Sequence, residues 1–460
     1  MKNFKTRVAQ AILFALATTL TLTGAACSSL PANQVLGSPK PFTLKYWTVF
    51  NESGNFDAIT SAYKAQFPNI NIEITTYRPE DYEAQLINAL AEDRGPDIFS
   101  IPNTAVTKYL NKIEPMPAAT SMEQGLTQGL VKKVNYTVTN KIPSISARTL
   151  RERFVDQALA DILVDNQVMG LPLALDTMVM YYNKDMLNAA GIAKPATTYQ
   201  ELQDQMAKLT RTDRLGNILQ SGIALGTSKN VPRFADILSL LMMQNGTTMA
   251  DSSGQATFSL LPQSLQGRTS LPAADALQFY IDFASINKPV YTWNELQPNA
   301  LAAFEQGKVA YFLGYSYNLP IIRAQAPKLN MGIAKMMQIP GNSEVNFANY
   351  WLEVVSKKSA NKDAAWNFLQ FMTAPENVKN FLTSAKRPTA VRSLIADQSG
   401  DLDLGVFADQ LLTARSWYHG VTPEAVDSVF AEMIQAAHDG KKEMQEILND
   451  AVTKINQTLR

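Results

Sequence analysis

The chain has 460 residues, 46% of them hydrophobic and 18% charged, with Lys+Arg and Asp+Glu equal at 41 each. This is a globular balance, long enough for two or three domains of about 100–200 residues, and a neutral chain with no basic run argues against nucleic acid as a partner. Two histidines and a single cysteine leave no disulfide framework and argue against a metal site, so no metal and no cofactor is expected.

The first segment reads as an export signal. Lys2, Lys5 and Arg7 form a basic start, Val8 to Leu22 is a short apolar run, and Gly24-Ala25-Ala26 are small residues before Cys27. The apolar run falls short of the roughly 20 residues that span a bilayer. With Cys27 directly after the small residues, the stretch resembles a bacterial lipoprotein signal, although Gly24 stands where that pattern usually has Leu. The resemblance implies cleavage after residue 26, a lipid on Cys27 and a body held at the outer face of the cell membrane. Residues 27–41, rich in Ser, Pro, Asn and Gly, then read as a tether.

The folded body begins at Phe42-Thr43-Leu44-Lys45-Tyr46-Trp47, which alternates as a strand does. Phe56, Ile59, Tyr63 and Phe67 have helical spacing up to Pro68. Ile70 to Ile74 alternates again, Tyr82 to Ala91 is a second helix, and Asp97 to Ile101 is a third short strand after Gly95-Pro96. Strand and helix taking turns imply βαβ units and a mainly parallel sheet. Residues 115–160, punctuated by Pro115, Pro117, Gly125 and Gly129, read as weakly helical. Met178 to Tyr182 reads as a buried strand and Lys184 to Ala190 as a helix ended by Gly191. Thr198 and Glu201 form a capping box for the next helix. Further on come a helix at Ala300–Phe304, a strand at Val309–Leu313, and amphipathic helices at Asn361–Phe371 and Pro423–Ala437.

Four segments in this order carry a family resemblance: Tyr46-Trp47 with Phe67-Pro68-Asn69-Ile70; Gly95-Pro96-Asp97-Ile98; Gly170-Leu171-Pro172-Leu173 with Asp176 and Tyr181-Tyr182-Asn183-Lys184-Asp185; and Ala303-Phe304-Glu305-Gln306-Gly307-Lys308-Val309-Ala310. The chain resembles the extracellular solute-binding proteins of ABC importers, the class that includes maltose-binding protein. The resemblance implies an α/β, periplasmic-binding-protein-like fold of two lobes joined by a hinge, with the ligand in the interlobe cleft. It places lobe 1 at 42–174 plus 335–388 and lobe 2 at 178–330 plus 390–460, with crossings near Leu173–Asp176 and Met331–Gln338.

The same resemblance implies ligand contacts at Asp176, at Tyr315 and Tyr317 in the loop after Val309–Leu313, and at Trp351. Trp47, Glu52 and Asn103 follow strands whose carboxyl ends face the crevice of an open α/β sheet. Trp417 belongs to the aromatic cluster Trp417-Tyr418-His419. Trp293 and Trp366 read as core. Aromatic plates with carboxylates and amides suit a sugar, which offers C–H faces and paired hydroxyls. The expected function is therefore a non-catalytic, monomeric, lipid-anchored receptor that delivers a carbohydrate to an ABC permease. The alternatives are a receptor of the same shape for a polyamine or glycerol phosphate, and a secreted polysaccharide hydrolase, for which a pair such as Glu52 and Asp97 would have to act together.

Overall fold

Alternation along Phe42–Val49 buries Leu44 and Tyr46 and makes this strand the spine of the first sheet. The computed structural model describes residues 33–128 and 133–459. Cys27, the signal segment and the start of the tether, residues 27–32, lie outside the described residues.

The first sheet runs in the order Leu171–Pro172, Trp351–Ser356, Ile98–Pro102, Phe42–Val49, Ile70–Tyr77, with Ile113–Glu114 on the Trp351–Ser356 strand. Phe42–Val49 is parallel to both neighbours, as the helical crossovers Asp57–Gln66 and Pro79–Ala91 require. Trp351–Ser356 returns antiparallel from far along the chain. The second sheet has the order Arg211–Thr212, Ile218–Ile223, Val309–Gly314, Val179–Asn183, Met331–Lys335. Each sheet has its own apolar core, one around Tyr46, Phe99 and Trp366, the other around Tyr181, Trp293 and Phe312. Two cores make two lobes.

Three short strands join the lobes. Asp176–Thr177 pairs antiparallel with Asn346–Asn349, which runs parallel to Ala414–Arg415. The first lies close to the expected crossing. The second falls later than 331–338, because Met331–Lys335 is committed to the second sheet along Val179–Asn183. The third lies near residue 414 rather than 388–390: Ala390, Val391, Leu394, Ala408 and Leu411 pack in the first core, while Leu404 and Phe407 reach the second.

Two other segments differ from the sequence reading. Residues Ala119–Gln128 and Val134–Pro143 form a β-hairpin, not weak helix. Thr120, Met122, Val138 and Ile142 alternate inward there, and their β-branched neighbours favour strand. The tether is not wholly irregular, since Gln34–Leu36 adds a third strand to that hairpin. Elsewhere local chemistry held. Thr198 and Glu201 make the capping box, and Gly191 takes φ +68° past its helix. No helix among the described residues is long and apolar enough to cross a membrane.

Candidate ligand cleft

The strand Phe42–Val49 ends at Phe50, which takes the left-handed φ of +63° and remains 46% exposed. A non-glycine residue there is uncommon and costs about 1 kcal/mol or more. The turn brings Phe50 over the gap between the lobes. Its ring lies near-parallel to Tyr317 of the second lobe, with centroids 6.1 Å apart, and edge-on to Trp351 at 5.9 Å. Beneath these rings is a cavity of about 460 Å³, walled by both lobes and floored by two of the connecting strands, Asp176–Thr177 and Asn346–Asn349. That volume falls within the range of small-molecule sites.

From the first lobe come Phe50, Asn51, Asn103 and Lys108. Trp351 and Arg387 also come from the first lobe, the connecting strands supply Asp176 and Asn349, and the second lobe supplies Arg233, Asp236, Tyr317 and Trp417. Asp236 occupies the first turn of the otherwise apolar helix Phe234–Gln244 and is held on three sides. Tyr315 donates its hydroxyl at 2.6 Å, the Arg233 guanidinium lies at 2.6 Å, and Asn349 approaches at 3.5 Å. Asp176 is buried and already occupied. Its Oδ2 accepts from the Ser316 amide at 2.9 Å and hydroxyl at 2.6 Å, and its Oδ1 from the Thr177 amide at 2.9 Å. Burial raises its pKa to about 6 against the pull of Ser316 and Arg387. Glu353, deeper in the first sheet, is pushed up to about 7 by burial, opposed by Ser100 and Tyr46, and accepts from the Ser100 hydroxyl at 2.6 Å.

A second polar cluster ties the lobes at the back of the cleft. The buried Asp161 carboxylate accepts from Asn103 at 2.9 Å, Tyr350 at 2.6 Å, Gln157 at 2.6 Å and Ser416 at 3.1 Å. His419 stands 3.6 Å from it.

Of the residues singled out in the sequence, the structure brings Asp176, Tyr317, Trp351, Asn103 and Trp417 to one cavity. Asn103 faces it with its amide already spent on Asp161. Trp417 is mostly core: its indole N–H donates to Ser239 at 3.0 Å, and its ring packs on Phe258 and Phe430. Three stand away from the cavity. Tyr315 is fully buried behind Tyr317 and serves Asp236. Trp47 packs on Tyr77 of the neighbouring strand, and Glu52 is exposed at the start of a short 3-10 turn. Trp293 and Trp366 are buried. Asp97 is structural, accepting from the Lys45 amide and the Ser359 hydroxyl. Sequence reasoning missed Phe50, Arg233, Asp236 and Arg387. Only Asp236 left a trace, as a lone acid in an apolar helix.

Comparison with known proteins agrees with this architecture. The model of the bacterial extracellular solute-binding protein family matches residues 58–402. The maltodextrin-binding protein of Bacillus subtilis (strain 168) is 24% identical over 324 residues, covering 67% of this chain and 70% of that protein. The galactooligosaccharide-binding protein of the same organism is 22% identical, covering 84% and 81%. Among solved structures, the cyclic alpha-maltosyl-1,6-maltose binding protein from Arthrobacter globiformis superposes with a TM-score of 0.70 at 19% identity, covering 91% of this chain and 99% of that one. At such identity the likeness is one of fold.

Proposed function

The chain belongs to the bacterial extracellular solute-binding proteins, and from that premise we propose that it captures a carbohydrate between its lobes and passes it to an ABC permease. The observation that carries this reading is the cleft itself. Phe50, Tyr317 and Trp351 offer aromatic surface from both lobes, beside the amides of Asn51 and Asn349 and the carboxylate of Asp236. Sugar C–H faces stack on such rings while hydroxyls pair with donors and acceptors. Several relatives and structural neighbours are described as binding maltodextrins or other oligosaccharides, which supports the same class.

Ligand contacts made by both lobes favour the closed arrangement, and affinity extends only as far as that preference. In this reading Asp176 positions the Ser316 turn that presents Tyr317, rather than bonding the ligand directly. Cys27 carries a lipid that keeps the receptor at the outer membrane face. A thermal-shift screen of the full chain against a glycan panel tests the proposal. A true ligand well above its dissociation constant raises the melting temperature, since it binds only folded protein. A panel of neutral and acidic glycans that leaves the melting temperature unmoved overturns it. Mass analysis of the mature protein for diacylglycerol on Cys27 tests the anchor separately.

A further inference from the structure

The cleft holds three cations, and their partners differ. Lys108 stands between Glu83 and Glu424, and Arg233 rests on Asp236. Arg387 lines the same cavity, half-buried, and among the described residues no side chain or carbonyl takes a hydrogen bond or ion pair from its guanidinium. Its backbone, by contrast, is held from every side. Lys386 turns the chain out of the helix Pro375–Ala385 at φ +50°. The Arg387 amide donates to Leu382, its carbonyl accepts from Gln398 at 2.8 Å, and the other end of that Gln398 amide accepts from the Thr389 N–H at 2.8 Å. The Leu175 N–H bonds the Pro388 carbonyl at 3.1 Å. A pinned main chain under an unpartnered guanidinium is a preorganised donor set.

The nearest acid does not use it up. Asp176 lies in the field of Arg387, but its oxygens are taken by Ser316 and Thr177. Burial lowers the Arg387 pKa, which is the signature of a charge short of solvation. A guanidinium donates only, and its fork matches the two oxygens of a carboxylate. Such a partner satisfies it better than a hydroxyl pair. A dianion fits less well, because the Asp176 carboxyl already lies in the field of Arg387.

We propose that Arg387 is a specificity-determining residue of this cleft and that its ligand is a saccharide bearing one carboxylate, a uronate-containing oligosaccharide. This rests on the carbohydrate reading above.

The test compares the full chain, Arg387→Met and Arg387→Lys by calorimetric titration with an oligouronate, its methyl ester and the matching neutral oligosaccharide. The wild type should bind the acid about tenfold or more tighter than the ester, the scale of one charge-assisted hydrogen-bonded pair. Arg387→Met should bring that ratio close to one while neutral binding survives, and Arg387→Lys should restore part of it. A merely structural residue would shift all three ligands together. If neutral sugars bind and the acid gains nothing, or if Arg387→Met keeps the ratio, this inference fails and the carbohydrate reading stands. If no saccharide of either kind binds, both fall. Tighter binding of a sugar phosphate than of the uronate also overturns the carboxylate assignment.

Discussion

The Lys108 ammonium lies 2.6 Å from the Glu424 carboxylate across the mouth of the cleft. On its own lobe the same nitrogen is 2.5 Å from Glu83. The Thr107 hydroxyl reinforces the bridge, donating to the His419 carbonyl at 2.6 Å. Because Glu83 travels with Lys108, opening the lobes surrenders the Glu424 contact without stranding the lysine charge.

Glu424→Gln should therefore loosen the closed state without unfolding the protein. A partly exposed ion pair contributes up to about 1 kcal/mol, so ligand affinity should weaken by about two- to fivefold. Small-angle scattering of the ligand-free variant should show a larger radius of gyration than wild type. Added salt should shift the wild type in the same direction. An unchanged radius of gyration and affinity would remove the latch role.

Glu353 predicts a pH dependence of stability. Its folded pKa of about 7 is above the ordinary glutamate value, as that of Asp176, about 6, is above the ordinary aspartate value. Between about pH 4 and 7 the unfolded chain has released protons that the folded chain still holds, so stability falls as pH rises through that window. Glu353→Gln should stabilise the fold at pH 8 by an amount on the order of 2 kcal/mol, read as a higher melting temperature, and change little at pH 4. Paired calorimetric scans at the two pH values check the sign.

Trp351 and Trp417 should separate binding from stability. Trp351 is half-buried between Phe50 and Tyr82 and faces the cavity. Trp351→Ala should leave a folded protein with a reduced ligand-induced thermal shift. Trp417 is packed against Phe258 and Phe430, so Trp417→Ala should cost about 3–5 kcal/mol in denaturant unfolding even without ligand. If Trp351→Ala keeps the full shift, the aromatic siting in the cleft is wrong.

Gly170 tests the packing behind the connecting strands. A Cβ there would stand 2.8 Å from the Glu353 carbonyl oxygen and 2.8 Å from a Val354 methyl carbon. Gly170→Ala should destabilise the protein by about 1–3 kcal/mol, as overpacking does, read as a lower denaturant midpoint.

Much of the secondary structure was legible, because it is written in local spacing. Phe56, Ile59 and Tyr63 share a helix face, and Thr198 and Glu201 close a cap within one turn. The hairpin at 119–143 was not legible, since Gly125 and the polar Thr, Asn and Gln around it hid an alternation that only Thr120, Met122 and Val138 mark by burial. Of the cleft, the aromatics Tyr317 and Trp351 were legible by family resemblance. Tyr315, two residues from Tyr317, was not separable from it: on either side of the turn at Ser316, one ring enters the core and the other the cavity.

The sequence by itself determined the alternation of strand and helix, the order of those elements and the capping box at Thr198, because those depend on neighbours within a few residues. Tertiary structure alone decided where the lobes divide, which of Tyr315 and Tyr317 meets solvent, and that among the described residues Arg387 is left without a partner while Lys108 bridges to the other lobe. Those outcomes depend on contacts such as Lys108 with Glu424 and Asp176 with Ser316, between residues more than a hundred positions apart, where burial and charge are set by the packing of one lobe against the other.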